Sequence, residues 1–183
     1  VKEYWFFLIV SSAVFLFSAF MLNSLAFVLS PIALGIIFGY SLAKRFTSLS
    51  HLWLGIAISI APVGAWVAVR EEISMESLIL GAAVVFWLVG FDIIYSCMDV
   101  DFDKNNNLHS IPQKLGVENA LKLAFASHCV MILFLLLLLF IPGLGGLYLF
   151  GVLLTSGLLL YEHSLVKADD LSNVINTGID INR

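Results

Sequence analysis

Charge is scarce in this chain. Of its 183 residues, 12% are Asp, Glu, Lys or Arg, where an ordinary soluble domain has about 25%. Nine Lys and Arg against thirteen Asp and Glu leave a net charge of −4. That balance excludes the basic footprint of a nucleic-acid-binding protein, so no nucleic-acid partner is expected. Cysteine is nearly absent. Cys97 and Cys129 stand far apart among apolar residues, which excludes a disulfide framework and a CxxC site; both are expected as buried thiols packing like small hydrophobes. Proline occurs four times. Pro31 and Pro62 fall in the middle of apolar segments, where they kink a helix and open a cavity or simply mark irregular packing. No internal repeat or low-complexity segment stands out.

Apolar residues fill the space that charge leaves. They make up 61% of the chain and give a mean hydropathy of +1.02. Such a chain is neither a soluble globular domain nor a disordered one. Crossing about 30 Å of hydrocarbon takes about 20 mostly apolar residues. Six segments approach that length: 4–22, 24–43, 52–69, 77–96, 121–141 and 144–161. The first lacks a cleavage site and further spans follow it, so it reads as a span rather than a secretory signal. Hydropathy this continuous favours helices over a β-barrel, whose strands alternate. The expected fold is an all-α membrane protein, a transmembrane bundle forming a single domain in the lipid bilayer.

The connections are unequal. Asn23 and Pro142-Gly143 make tight turns. Residues 44–51 and 97–120 form longer, polar connections on one membrane face. Lys2, Lys44, Arg45, Lys104, Lys114, Lys122 and Lys167 map to that face, and Arg70 to the other. The positive-inside rule makes the first face cytoplasmic, and a bacterial inner membrane is the expected location.

Span four carries the chemistry. Asp92, Asp99, Asp101 and Asp103 crowd its end. On a continuous helix turning about 100° per residue, Asp92, Asp99 and Asp103 lie within about 40° of one another, with Tyr95 about 60° to the side and Asp101 opposite. Like charges one turn apart repel, and a carboxylate inside a span costs about 2.5 kcal/mol or more without a cavity or partner. A divalent cation answers both problems. Magnesium suits hard oxygen ligands and leaves positions for water and a phosphate-bearing substrate. A helix running out into a solvated acidic loop accounts for Asp101 and in part Asp103, but poorly for Asp92 and Asp99, which sit among apolar residues. Asp99-x-Asp101-x-Asp103 copies the start of an EF-hand, but Lys104 and Ser110 stand where Gly and Glu are needed. His109 has no second His or Cys at zinc-like spacing and reads as an interfacial residue.

On the same face, Tyr40 and Lys44 share one side of span two. A cation at a helix C-terminus is ordinary in itself. Beside carboxylates, it also suits an anionic substrate held with a divalent cation.

Asp92-x-x-Tyr95-x-x-x-Asp99-x-x-x-Asp103, followed by Leu108-His109-Ser110-Ile111-Pro112, resembles the second aspartate-rich motif of the UbiA family of membrane-embedded aromatic prenyltransferases. Tyr40-x-x-x-Lys44-Arg45 resembles the Tyr and Lys of the same family. The resemblance implies a nine-helix fold, with about six helices present here, and a cytoplasmic-side pocket for a polyprenyl diphosphate. It implies magnesium on Asp99 and Asp103, the diphosphate on Lys44 and Arg45, and a reacting centre shaped by Asp92, Tyr95 and Tyr40. The Ser-Ile-Pro form is similar to the branch that prenylates 4-hydroxybenzoate or a related aromatic acid in quinone biosynthesis. Two departures stand out. Asn107 replaces a frequent Gly, a mild change because Asn tolerates left-handed backbone. The family's first motif, Asn-Asp-x-x-Asp-x-x-x-Asp, has no counterpart, so the chain is expected to be a piece that starts after it, stops before the last helix and is inactive alone. The tail Asn173–Asn182 resembles the family's late loop only weakly. A rival reading is a transporter whose carboxylates line an ion or proton path, although such paths place ionisable groups at mid-membrane on several spans. A structural membrane subunit leaves the aspartates unexplained.

Overall fold

The computed structural model describes residues 2–168, so the tail beyond lies outside the described residues. Six helices in it are long and apolar enough to cross a membrane. They are α1 (Lys2–Leu22), α2 (Ser24–Ala43), α3 (Ser50–Arg70), α4 (Met75–Ser96), α7 (Val117–Leu138) and α8 (Gly146–Leu165). Between α4 and α7 lie two short helices, α5 (Val100–Asn105) and α6 (Ile111–Leu115).

Local chemistry sets the ends. The Asn23 side chain accepts from the Ala26 N–H at 2.8 Å and donates to the Val67 carbonyl at 2.9 Å. One residue thus caps α2 and ties its start to the end of α3. Glu71 takes the left-handed conformation and stops α3, and the Ser74 side chain caps α4. Helices α2 and α3 run through Pro31 and Pro62 without interruption. A cavity of about 500 Å³ lies among α1, α2 and α3, and its lining includes neighbours of both prolines.

Helix α4 is the hub. In its most apolar stretch 44% of residues are buried, against 6% in α1 and α8. Small residues let its neighbours close in, as expected where lipid removes the hydrophobic drive between helices. A methyl group at Gly55 would meet the Val85 carbonyl oxygen at 2.7 Å, and one at Gly90 would overlap the His128 ring. Val89, Ile93, Ile94, Cys97, Ala120 and Ala124 form a buried cluster, against which Ile111 packs. This cluster seats the α5–α6 connection on the bundle.

Several expectations need correction. Helix α7 starts at Val117 rather than 121, and α8 runs on to Leu165. Glu118, in the extra turn of α7, forms an exposed ion pair with Lys122 at 2.7 Å. Cys97 is buried and its thiol is pushed up to about 11 by burial, but Cys129 is exposed on the surface of α7. A partner-free face of a membrane helix accepts a thiol as it accepts any small hydrophobe.

The aspartate ladder is not one helix face. Helix α4 ends at Ser96. The next two bonds, Met98 N–H to Tyr95 and Asp99 N–H to Ser96, are i→i−3 turns of the tighter 3₁₀ type. This turn resets the register. Asp92 belongs to α4, whereas Asp99 and Asp103 are joined one turn apart by a 2.8 Å backbone bond. Burial reverses the sequence expectation as well: Asp103 is buried and Asp99 exposed.

Candidate active site at one end of the bundle

The end of α2 and the segment after α4 meet here. Lys44 caps α2, and its carbonyl accepts from the His109 N–H at 2.8 Å. Its side-chain nitrogen stands 3.6 Å from Oδ2 of Asp103. The Asp103 side chain is 1% exposed, and that oxygen has no hydrogen-bond partner. A buried carboxylate normally needs close pairing, and 3.6 Å is a loose contact.

The loop after α5 folds back on the same point. The Leu108 N–H donates to the Asp103 carbonyl at 2.9 Å. Asn107 adopts a positive φ of 53°, the left-handed conformation for which Gly is the usual choice. The Ser110 N–H then donates to Oε1 of Gln113 at 3.4 Å, which opens α6. Phe46, Thr47, Ser48, Lys104, His109, Ser110, Gln113 and Lys114 line an open cavity of about 560 Å³ beside this loop.

Asp92 faces a partner that sequence reasoning missed. Its Oδ2 lies 2.7 Å from Nδ1 of His51, at the start of α3. Nε2 of the same ring receives the Ile111 N–H at 3.2 Å. A backbone N–H only donates, so Nε2 is the acceptor and Nδ1 carries the proton that Asp92 accepts. The signal was a lone polar ring at the start of an apolar span, and nothing in the local sequence ties it to Asp92, 41 residues away.

Tyr40 is half-buried on α2, within Coulombic reach of the Asp92 carboxylate. Its neighbour Gly39 admits the Trp53 ring so closely that a Cβ there would stand 2.7 Å from it, and Nε1 of Trp53 donates to the Ile36 carbonyl at 2.8 Å. These contacts fix the end of α2 against α3. Tyr95 is half-buried on α4 with its ring 4.6 Å from Phe91, which in turn lies 6.3 Å from Trp87. Three aromatic rings therefore descend α4 from the site. Arg45 is exposed in the turn after α2.

The structure thus joins Lys44 to Asp103 directly and brings Tyr40 near Asp92. Asp99 stays on the surface, and His109 takes part through its backbone. Among the described residues, no group of three or more His, Cys, Asp or Glu forms a ready metal cage. Two carboxylates one turn apart, one with an orphaned buried oxygen, still suit magnesium, which keeps positions for water and substrate oxygens.

The UbiA prenyltransferase family model matches residues 1–177. The 4-hydroxybenzoate octaprenyltransferase of Salmonella paratyphi C (strain RKS4594) is 30% identical over 145 residues, which cover 79% of this chain and 50% of that protein. Its counterpart in Edwardsiella ictaluri (strain 93-146) is 31% identical over 148 residues, with the same coverage. The chain spans about half the length of these curated relatives. A solved apo structure of a UbiA homolog from Aeropyrum pernix K1 superposes with a TM-score of 0.82 at 33% identity, covering 99% of this chain and 72% of that one. Sequence and fold agree, and the chain belongs to the UbiA prenyltransferase family.

Proposed function

We propose that the chain forms part of a magnesium-dependent prenyltransferase, which moves a polyprenyl group from its diphosphate to an aromatic acid of the 4-hydroxybenzoate type in quinone biosynthesis. The observation that carries this reading is the meeting of Lys44 with the orphaned oxygen of buried Asp103, beside Asp92 and the two tyrosines. Charges of both signs at the mouth of an apolar bundle suit a substrate with a diphosphate head and a hydrocarbon tail.

Lys44 and Arg45 hold the diphosphate, Lys44 as a point charge on a phosphate oxygen. Asp99 and Asp103 would hold magnesium, which when bound would offset charge on the leaving diphosphate. The allylic C–O bond breaks and its electron pair leaves with the diphosphate. The faces of Tyr40 and Tyr95 stabilise the allylic cation, and Phe91 and Trp87 accompany the tail along α4. A ring carbon of the acceptor attacks the cation, a C–C bond forms, and the ring proton passes to a base at the site or to water. Asp92 orients the acceptor. The excess of Lys and Arg in the loops at this end supports a cytoplasmic-facing site in a bacterial inner membrane.

A transporter would need carboxylates along the bundle. Below Asp92, α4 carries no other carboxylate until Glu76 in its first turn, so that helix offers no stepwise ion path. The test uses the natural full-length protein that contains this chain. Incubated with a polyprenyl diphosphate, 4-hydroxybenzoate and magnesium, it should yield a product heavier by the prenyl group, and chelation should stop the reaction. Absence of product across several aromatic acids and prenyl lengths would overturn the proposal.

A further inference from the structure

His51 is fully buried, and each of its ring nitrogens is used by a different part of the site. Nδ1–H donates to Oδ2 of Asp92 at 2.7 Å, and Nε2 accepts the Ile111 N–H at 3.2 Å. The first partner is a charged side chain of α4. The second is the first backbone N–H of α6, just past the loop that covers the site. The Ile111 side chain packs on the buried cluster between α4 and α7. Two residues earlier the same loop is tied to α2, through His109 N–H on the Lys44 carbonyl.

We propose that His51 is a positioning residue that joins the Asp92 carboxylate and the 105–111 loop into one unit. The proposal rests on the prenyltransferase reading for its kinetic part only. With Oδ2 taken by Nδ1–H, Asp92 is held at one oxygen, while its side chain remains 24% exposed. The second oxygen is therefore free for the acceptor. Charge-assisted bonds of this kind fix orientation as well as adding energy. The ring cannot be lost cheaply, because its removal orphans both a carboxylate oxygen and a buried backbone N–H. Two groups sharing one rigid ring are linked in both directions: an ordered loop presets Asp92, and an anchored Asp92 steadies the loop. The Asp103 carbonyl holds the Leu108 N–H, the Lys44 carbonyl the His109 N–H and His51 the Ile111 N–H, so the loop's ties to the Lys44–Asp103 pair and to His51 fall within four consecutive residues.

The two bonds separate by substitution. In His51→Asn the shorter amide keeps a donor near the Nδ1 position. In His51→Gln the longer amide keeps an acceptor near Nε2. The first should retain kcat within severalfold, while backbone exchange speeds up at Ile111 and along 106–110. The second should keep Ile111 protected yet lose kcat about tenfold or more, with KM for the prenyl diphosphate unchanged. Asp92→Ala does not touch the loop, yet it should also speed Ile111 exchange severalfold, because His51 loses its anchor. This last measurement needs no turnover. Unchanged Ile111 exchange in Asp92→Ala would overturn the linkage. Equal kcat loss in the Asn and Gln variants, matched by equal loss of folded protein, would reduce His51 to a structural residue. If the wild type transfers no prenyl group, the exchange result still decides the linkage, and only the functional reading falls.

Discussion

Two buried histidines sit in this bundle, and they are used differently. His51, near one end, bonds a carboxylate of α4 and the backbone of a loop. His128, in the body of α7, bonds the Trp87 carbonyl at 3.2 Å through Nε2 and His163 of α8 at 2.8 Å through Nδ1. The carbonyl only accepts, so Nε2 of His128 carries the proton, and His163 donates to Nδ1. Every partner of His128 thus belongs to the framework. At the His51 end, part of the polar capacity is left over: an orphaned oxygen on Asp103, a partly exposed Asp92 and a lysine 3.6 Å from its partner. Full satisfaction marks the polar contact that holds helices together. Incomplete satisfaction at the His51 end leaves polar groups available to a ligand, as the proposed function requires.

The comparison breaks first at Asp103. Asp103→Ala in the full-length protein should cost about a hundredfold or more in turnover, the scale seen when a preorganised electrostatic contact is removed. The protein should still reach the membrane, since the helices do not depend on that side chain. Asp99→Ala should lose a similar factor, read in the same prenyl-transfer assay. Near-normal turnover in either would return these carboxylates to a solvated loop. Lys44→Ala should act on binding more than on chemistry. A charged hydrogen bond is worth about 1.5–3 kcal/mol, so the prenyl diphosphate should bind roughly ten- to a hundredfold more weakly by titration. Unchanged affinity would remove Lys44 from the site.

Much of this was legible before any coordinates. The six spans follow from apolar runs alone, because in lipid every backbone group must be satisfied within its helix. Lys44 and the aspartates after span four were legible as opposite charges on one face, because charge is expensive there and each stands in a short motif; the direct Lys44–Asp103 contact was not. Asn107 was legible as a left-handed position from residue chemistry, and its φ of 53° agrees. The ladder was misread because a helical wheel assumes constant rotation, and two 3₁₀ turns after Ser96 change it. His51 was not legible, since its role depends on contacts 41 and 60 residues away. Cys129 was misread because an apolar neighbourhood in sequence does not separate a buried face from a lipid-facing one.

The framework side of the comparison gives the smaller effects. Gly90→Ala would drive a methyl group into the His128 ring and to 2.9 Å from the Ala124 carbonyl oxygen. Overpacking of this kind costs about 1–3 kcal/mol. It should lower thermal stability in detergent while turnover per folded molecule stays close to wild type. A fall in turnover with stability intact would place the α4–α7 seam in the mechanism.

The smallest expected effect is at His128 itself. Side-chain hydrogen bonds between membrane helices average about 0.6 kcal/mol and reach about 1.7. His128→Leu gives up two such contacts, keeps most of the apolar volume and leaves His163 to find another acceptor. Two contacts at that average make the expected drop in stability about 1 kcal/mol, read from the shift in the unfolding midpoint. Prenyl transfer should persist, because His128 bonds only Trp87 and His163 and neither contact reaches Lys44, Asp92 or Asp103. The matching exchange experiment separates the two histidines: His128→Leu should leave Ile111 as protected as in the wild type, whereas Asp92→Ala should not. If His128→Leu abolished turnover without unfolding the protein, the pair with His163 would be functional rather than part of the framework.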